Sequence, residues 1–173
     1  MTDKEISPTD FIDDPGDLRA VMRYWTTGVC IVSTQHENVD HGMTVNSFTS
    51  VSLSPPLVTL SLEGTARTHE MVQSTQFFGI TILAGNQEDV SNRFAGRDTE
   101  NQDRFDGYVK ERLLTGSPFL KGGLAYLDCK VKSHHPVGPN LLYIAEVVAV
   151  KLNPEFEVDG PLLYFSRGYH RLL

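Results

Sequence analysis

The densest group of side chains able to hold a ligand lies between Gly42 and Pro56, in the stretch GMTVNSFTSVSLSPP. Seven hydroxyl or amide side chains fall within eleven residues of this stretch: Thr44, Asn46, Ser47, Thr49, Ser50, Ser52 and Ser54. Such groups form hydrogen bonds without carrying charge, so they suit the carbonyl groups of a ring and the oxygens of a phosphate. The alternative is a serine-rich strand edge that faces solvent.

Arg67 and Thr68 form a second candidate group, at the predicted start of a helix that begins near residues 65–68. The unpaired backbone N–H groups and the positive dipole end of a helix start favour a phosphate. Arg67 can add a two-pronged, charge-assisted contact. An arginine and a threonine at a helix start are often only a cap and a surface charge. Together with the hydroxyl-rich stretch, they predict a phosphate site.

The elements that must position these groups are mostly strands, because short runs rich in Val, Ile, Thr and Ser are separated by turn-forming residues. The runs are GVCIVST, GMTVNS, FTSVSLS, LVTLSLE, FFGITIL, LAYLDCKVKSHH, LLYIAEVVAVKL and PLLYFSRGYHRL. Six to eight strands with few helices predict a mainly β fold closed into a barrel. No strand is followed by a glycine-rich phosphate loop, which argues against a Rossmann dinucleotide domain.

Two further helices are predicted. Asp14 before Pro15 indicates a helix start, and Leu18, Val21, Met22 and Trp25 form an apolar stripe that predicts core packing, with Gly28 ending the helix. Asn86 with Asp89 predicts a second helix that reaches Phe94. Residues 95–117 are predicted as a surface loop with one short amphipathic piece. We expect an acidic arm over residues 1–14 and one domain over residues 15–173.

The composition limits the classes of function. The chain has 15 Lys and Arg against 22 Asp and Glu, a net charge of −7 that disfavours nucleic acid as a partner. No apolar run reaches the roughly 18 residues of a membrane span, so we expect a cytoplasmic protein. Cys30 and Cys129 lie in strand-like runs and are expected to be free and buried. His36 and His41 flank a predicted hairpin loop, where a surface role is expected.

Several of these segments, in order over about residues 17–173, resemble the flavin reductase-like family. They are LRAVMRYWTTGVCIVST, GMTVNSFTSVSLSPPLVTLSL, ART, FFGITIL, NRFAG, DRF and PLLYFSRGYHRL. The resemblance implies an FMN-binding split β-barrel and a homodimer that binds FMN or FAD without a covalent bond. It also implies NADH or NADPH as the electron donor, and a partner monooxygenase that receives the reduced flavin.

The same resemblance implies the residues that contact the flavin. Met43, Thr44, Val45, Asn46 and Ser47 would lie against the isoalloxazine and ribityl groups, and Ser50, Val51 and Ser52 against the lower ribityl chain or the phosphate. Ala66, Arg67 and Thr68 would complete the phosphate site, and Phe94, Arg167 and Tyr169 would approach from other loops or the second subunit. No catalytic proton-transfer residue is implied, because hydride transfer needs mainly close stacking of two rings. No metal site is implied either.

One segment departs from the family pattern. The family commonly carries Gly-Asp-His after the penultimate strand, whereas this chain has Gly138, Pro139 and Asn140. We expect this loop at the mouth of the flavin site on the nicotinamide side. His134 and His135, just upstream, are expected to be a solvent-exposed pair; the alternative is that one of them, and not both, substitutes for the missing histidine, because adjacent residues on a strand point to opposite faces. The departure leaves three functions open: an NAD(P)H-dependent flavin reductase, an electron-transfer flavoprotein that retains FMN, and a non-catalytic flavin-binding module.

Overall fold

A computed structural model describes residues 18–96, 103–153 and 160–172. The predicted arm of residues 1–14 and the predicted helix start at Asp14 and Pro15 lie outside the described residues. The helices are α1 (Leu18–Met22), α2 (Arg67–Thr75) and α3 (Glu88–Phe94). The strands are β1 (Thr27–Gly28), β2 (Cys30–His36), β3 (Val39–Val45), β4 (Phe48–Leu53), β5 (Pro56–Glu63), β6 (Phe77–Ile82), β7 (Lys110–Arg112), β8 (Pro118–Leu120), β9 (Ala125–Val137), β10 (Asn140–Leu152), β11 (Leu162–Phe165) and β12 (Gly168–Arg171).

Seven strands form one antiparallel sheet in the order β3-β2-β6-β9-β10-β5-β4. Smaller sheets are formed by β1-β11-β12 and by β7-β8. The mainly β prediction is therefore confirmed. The predicted closed barrel is wrong, because β3 and β4 remain the two edges of the large sheet within the described residues. Strand composition predicts how many strands there are, but not whether the first and last strands pair.

Local patterns explain the central hairpins of this sheet. In β5, Val58, Leu60 and Leu62 are buried and alternate with more exposed residues, as expected for a strand with one face in the core. The tight turn between β2 and β3 is made by Glu37 and Asn38, with φ of 49° and 64°. Two successive positive φ values are typical of the turn whose twist matches that of a hairpin. This turn fixes the register of β3, which carries Met43 and Thr44.

Two apolar clusters hold the helices on the sheet. One includes Val72 of α2 together with Phe78 and Tyr143 of the large sheet. The other includes Phe94 at the end of α3, together with Phe105. The predicted helices near residue 67 and up to Phe94 are thus confirmed, although α3 begins at Glu88 with Gln87 as its N-cap rather than at Asn86. Both helices lie close to β3.

The prediction that α1 packs into the core is wrong. This helix has five residues, none of them buried, and Leu18, Val21, Met22 and Trp25 are about half to two-thirds exposed. Gly28 lies in β1 rather than at the helix end. The apolar spacing predicts which side of a helix needs covering, but it does not identify the surface that covers it. Within the described chain, that side remains uncovered.

Three smaller predictions have clear outcomes. Cys30 and Cys129 are free and buried, as predicted. The predicted amphipathic piece between residues 108 and 114 is the short strand β7. Among the described helices, none has the length and apolar character that crossing a membrane requires.

Candidate functional site

The start of α2 has the features of an anion site. Its N-cap, Ala66, has no side chain able to cap the helix, so the backbone N–H groups of the first turn have no intrahelical partner. The hydroxyl oxygen of Thr68 is buried without a hydrogen-bond partner, in a residue that is only 1% exposed. A buried hydroxyl without a partner is unfavourable and calls for an explanation. A bound anion at the helix start supplies one.

Thr68 lines a cleft of about 760 Å³, which we call the α2 cleft. Its walls come from α2, β3, the end of α3 and the segment before β7, and include Met43, Thr44, Ala66, Arg67, Phe94 and Arg104. Thr44 is fixed in its wall because its hydroxyl donates to the carbonyl oxygen of Ser91 at 2.6 Å. The cleft therefore brings together six residues predicted from the sequence: Met43, Thr44, Ala66, Arg67, Thr68 and Phe94.

Arg104 joins two walls of the α2 cleft. Its Nη1 donates to the carbonyl oxygens of Gly42 and Phe94, at 3.0 and 2.9 Å. Gly96, with φ of 74°, lets the guanidinium approach, since a Cβ there would lie 2.8 Å from Nη2. Arg104 was not among the predicted site residues, although it is the arginine of the DRF segment quoted for the resemblance. Its contact with Gly42 spans 62 residues of sequence, which local patterns cannot reveal.

His41 also lines the α2 cleft, where it is half-buried. Burial, followed by the charges of Arg104 and Arg67, lowers the pKa of His41 from 6.5 to about 4, against a smaller opposing effect of Asp103. The imidazole is therefore neutral at pH 7. The only sequence signal was its position in the hairpin, two residues before Met43.

The low pKa of His41 predicts a pH dependence of stability. Between pH 6.5 and 4 the unfolded chain binds a proton at this residue that the folded chain does not, so stability falls as the pH falls through this window. The slope from this group is below about 1.4 kcal/mol per pH unit, because solvent screens a half-exposed ring. We expect His41→Gln to flatten the curve, measured by urea unfolding from pH 4 to 7. Parallel curves for the two proteins would contradict this assignment.

Two further hollows lie next to the α2 cleft. A bridging hollow of about 240 Å³ shares Thr44 with it and is also lined by Val45, Asn46 and Tyr169, among others. A hollow of about 920 Å³, which we call the α1 cleft, shares Asn46 with the bridging hollow and is bordered by Ser47, Trp25 and Arg167. The Asn46 amide donates to the Thr27 hydroxyl at 3.2 Å. The three neighbouring spaces follow the end of β3, and we call them the path.

Two polar groups stabilise the path at its far end. Ser91 donates to the Tyr169 hydroxyl at 2.8 Å, and this holds the tyrosine ring against the bridging hollow. Ser47 donates to the carbonyl oxygen of Ser61 at 2.6 Å.

In the α1 cleft, Nε of Arg23 is buried without a hydrogen-bond partner among the described residues. Arg23 was not predicted, because a single arginine outside the apolar stripe of a predicted helix gives no functional signal.

Ser50, Val51 and Ser52 line none of these three spaces. They lie on the edge strand β4, where Ser50 and Val51 are exposed and Ser52 is half-buried. A bulge between Ser50 and Ser52 changes the register of β4 against β5. The described chain therefore separates them from the start of α2.

The loop of Gly138, Pro139 and Asn140 lies beside the turn that precedes α2. The N–H of Gly64 donates to the carbonyl oxygen of Pro139 at 2.9 Å. The loop does not line any of the three spaces. Gly64, which it contacts, precedes Arg67 by three residues in the sequence. His134 and His135 are exposed on β9. The described residues contain no cluster of ligands suited to a metal ion.

His69, the third residue of α2, points away from the cleft. Its Nδ1 is hydrogen-bonded to the buried Tyr143 hydroxyl at 2.6 Å. This contact ties the first turn of α2 to β10 and thereby fixes the direction of its free N–H groups.

Known proteins with similar sequences and structures identify the family of this chain. Residues 22–173 match the family described as flavin reductase like domain. An NADH-dependent flavin reductase from Rhodococcus is 40% identical over 162 residues, which cover 92% of this chain and 86% of that protein.

Two solved structures share the fold and much of the sequence. The nitrilotriacetate monooxygenase component B homolog from Mycobacterium thermoresistibile superposes with a TM-score of 0.85 at 31% identity, over 91% of this chain and 86% of that chain. The NADH:FAD oxidoreductase of Streptomyces globisporus C-1027, in complex with NAD and FAD fragments, gives 0.84 at 29% identity, over 94% and 97%. With the family match over most of its length, the chain belongs to the flavin reductase-like domain family.

Proposed function

We propose that this chain is an NAD(P)H:flavin oxidoreductase that binds its flavin along β3. The observation that carries the proposal is the buried, unpartnered hydroxyl of Thr68 at the open start of α2, beside Arg67. This pair suits the phosphate of a flavin nucleotide, which offers several acceptor oxygens and a negative charge. The path from the α2 cleft to the α1 cleft has the elongated form that such a ligand requires.

Ala66, Arg67 and Thr68 would hold the phosphate of the flavin, and Met43 and Thr44 its ribityl chain. Val45, Asn46 and Ser47 would contact the ring, with Tyr169, Phe94 and Arg167 nearby. β3 covers roughly 7 Å from Met43 to Val45, at about 3.3 Å per residue, and Asn46 and Ser47 follow directly after the strand. The uncharged hydroxyl and amide groups in this stretch give hydrogen bonds to the ring without fixing its charge.

A bound flavin supplies the chemistry that accepts a hydride from the nicotinamide. The residues of this chain bind and orient the flavin, and they leave the α1 cleft open for a donor to reach the ring. No side chain would be required to move a proton, because hydride transfer needs mainly close stacking of the two rings. We therefore assign positioning, rather than proton transfer, to the residues of the path.

We infer that NADH is the donor and that a monooxygenase receives the reduced flavin. The named relative from Rhodococcus is NADH-dependent, and the relative from Mycobacterium thermoresistibile is a homolog of a monooxygenase component. The chain covers 86% of each of these proteins, which supports one reductase domain over residues 15–173. We infer that the flavin is FMN or FAD, because both carry the ring, the ribityl chain and the first phosphate that the residues of the path would bind.

The test is oxidation of NADH and of NADPH by the purified chain, assayed separately with FMN, FAD and riboflavin. The proposal expects turnover that depends on added flavin. A protein that holds one equivalent of flavin and is not reduced by either nucleotide would instead be an electron-transfer flavoprotein or a binding module.

We further propose that the chain forms a C2 homodimer. The apolar side of α1 is uncovered, and on the edge strand β4 Val51 is 55% and Leu53 90% exposed. Exposed apolar residues on an open sheet edge favour pairing with another chain, and a second copy offers the same surface. This pairing also gives Ser50 and Ser52 a route to a flavin bound by the partner.

Light scattering is expected to give twice the chain mass of 19.3 kDa. Leu53→Glu places a charge in the proposed interface and is expected to shift the protein toward the monomer. A wild-type protein that is monomeric at micromolar concentration with flavin present would rule out this pairing.

A further inference from the structure

The α1 cleft is bordered by three positive charges. Arg19, Arg23 and Arg167 all line it, and the described residues of its lining include neither aspartate nor glutamate. None of the three arginines forms an ion pair within the described parts of the chain. The whole chain has a net charge of −7, so this cleft differs in sign from the protein around it. Unpaired cations around one concave surface attract a negatively charged occupant.

Arg23 is the arginine of this group that most needs a partner. Its Nε is buried and has no hydrogen-bond partner among the described residues, which is unfavourable for a charged donor. The backbone holds the residue in place, because its carbonyl oxygen accepts from the N–H of Ser166 at 2.9 Å. That contact fixes the β11–β12 turn against the end of α1. Arg167 is the next residue of the turn, so the same contact brings the two arginines to one cleft.

The acidic arm of residues 1–14 supplies the opposite charge from the same chain. The arm lies outside the described residues, and its charge follows from the sequence. Its ionisable side chains are those of Asp3, Lys4, Glu5, Asp10, Asp13 and Asp14. Five carboxylates against one lysine give −4, out of a net charge of −7 for the whole chain. More than half of the net negative charge is therefore joined to the helix that borders the cationic cleft.

The arm is also within reach of the α1 cleft. Residues 15–17 separate Asp14 from Leu18, where α1 begins. Four residue steps span at most about 14 Å when extended, whereas Arg23 lies only about 7.5 Å along the chain direction from Leu18 at helical rise. So short a connection keeps the carboxylates at an effective concentration on the order of mM around the cleft. A contact with a Kd of about the same size then keeps the arm bound about half of the time.

We propose that the acidic arm docks in the α1 cleft of its own chain, where its carboxylates meet Arg23 and Arg167. The docked arm covers the opening through which the donor reaches the flavin in the proposed function, so it competes with NADH. The docking does not depend on the proposed function, whereas the competition rests on it. Leu18 and Val21 do not line the cleft, so a docked arm leaves them available to the proposed homodimer.

Trp25 allows the docking to be measured directly, because it is the single tryptophan of the chain, lines the α1 cleft and is 66% exposed. The test is quenching of its fluorescence by acrylamide, a neutral quencher, in the full chain without flavin. Asp13→Asn with Asp14→Asn is the arm variant. Glu63→Gln with Glu70→Gln is the matched control, because it removes two exposed carboxylates that do not line the cleft. An arm that is docked half of the time shields Trp25 half of the time, so the arm variant is expected to raise the quenching constant about twofold and the control to leave it unchanged.

The cleft side of the contact has its own variant. Arg23→Gln is expected to raise the quenching as much as the arm variant does, and the combined variant no further than either, because both changes break the same contact. In 1 M NaCl, where the Debye length is about 3 Å, the wild type is expected to quench like the arm variant. If Arg23→Gln does not fold, the arm variant and the salt titration decide the question.

Equal quenching of the wild type and the arm variant overturns the inference. The variant Leu53→Glu, which is expected to be monomeric, separates the two sources of an arm. Shielding of Trp25 that persists in it supports docking within one chain. Shielding that is lost in it assigns the docked arm to the partner subunit and overturns the inference.

Steady-state kinetics test the competition with the donor. The arm variant is expected to lower the KM for NADH about twofold and to leave kcat unchanged, because the released cleft is open to the donor all of the time. An unchanged KM together with increased quenching overturns the competition. A chain that shows the quenching difference but oxidises neither NADH nor NADPH keeps the docked arm and loses the proposed function. Flavin-dependent oxidation of NADH with no quenching difference keeps the proposed function and removes this inference.

Discussion

Replacing Phe94 by alanine is expected to lower the free energy of unfolding by about 3–5 kcal/mol, the range for a buried Phe→Ala change. Phe94 is fully buried, and its ring packs edge-to-face on Phe105 with centroids 4.9 Å apart. On its other side, a Cβ at Gly42 would lie 3.1 Å from the Phe94 ring, so β3 runs directly against it. Alanine leaves a cavity beside Gly42, because close-packed neighbours relax only in part.

The same change is expected to weaken flavin binding, since Phe94 supports the wall of the α2 cleft that β3 provides. Urea unfolding followed by circular dichroism measures the stability, and Phe94→Leu is the control that keeps most of the buried volume. We expect leucine to cost less than half as much as alanine. If alanine costs less than about 1 kcal/mol, as a surface change does, Phe94 is not the packing centre of this cluster.

The second large effect concerns Arg67. Arg67→Ala is expected to weaken FMN binding about tenfold or more while leaving riboflavin binding nearly unchanged, because a charge-assisted hydrogen bond contributes about 1.5–3 kcal/mol and only FMN has the phosphate. Isothermal titration with both ligands measures the difference. Lys132→Ala is the matched control: it removes one positive charge on β9, where Lys132 is paired with Glu146 at the surface. Equal losses for FMN and riboflavin would place Arg67 away from the phosphate.

Thr68→Val gives an independent check on the same site. Removing a buried hydroxyl that has no partner is expected to leave the ligand-free protein as stable as the wild type or more stable. The same change removes a donor for the phosphate, so FMN binding is expected to weaken. Opposite directions in stability and affinity distinguish a ligand contact from ordinary packing. A loss in both would show that the hydroxyl has a structural partner.

The positions of α2 and α3 illustrate what local sequence predicts well. A helix near Arg67 and a helix ending at Phe94 follow from capping residues and spacing, which act over a few residues. The failure at α1 has a physical reason as well: the same kind of apolar spacing is found there, but nothing in the described chain covers Leu18 and Trp25. Periodicity shows that one face of a helix is apolar. Which surface covers that face is determined by the tertiary or quaternary structure.

The sequence alone determined the composition of this protein's site. It indicated the hydroxyl and amide groups from Thr44 to Ser47, the helix start at Arg67, and the family to which these segments belong. Only the tertiary structure brought Thr68, Thr44 and Phe94 to one cleft and added His41 and Arg104 to it. It also placed Ser50 and Ser52 on an open edge, and Pro139 beside Gly64. The reason is that the type of each residue determines which hydrogen bonds its side chain can form. A contact such as that of Arg104 with Gly42 depends instead on strand order and register, and these are decided by packing between residues far apart in the sequence.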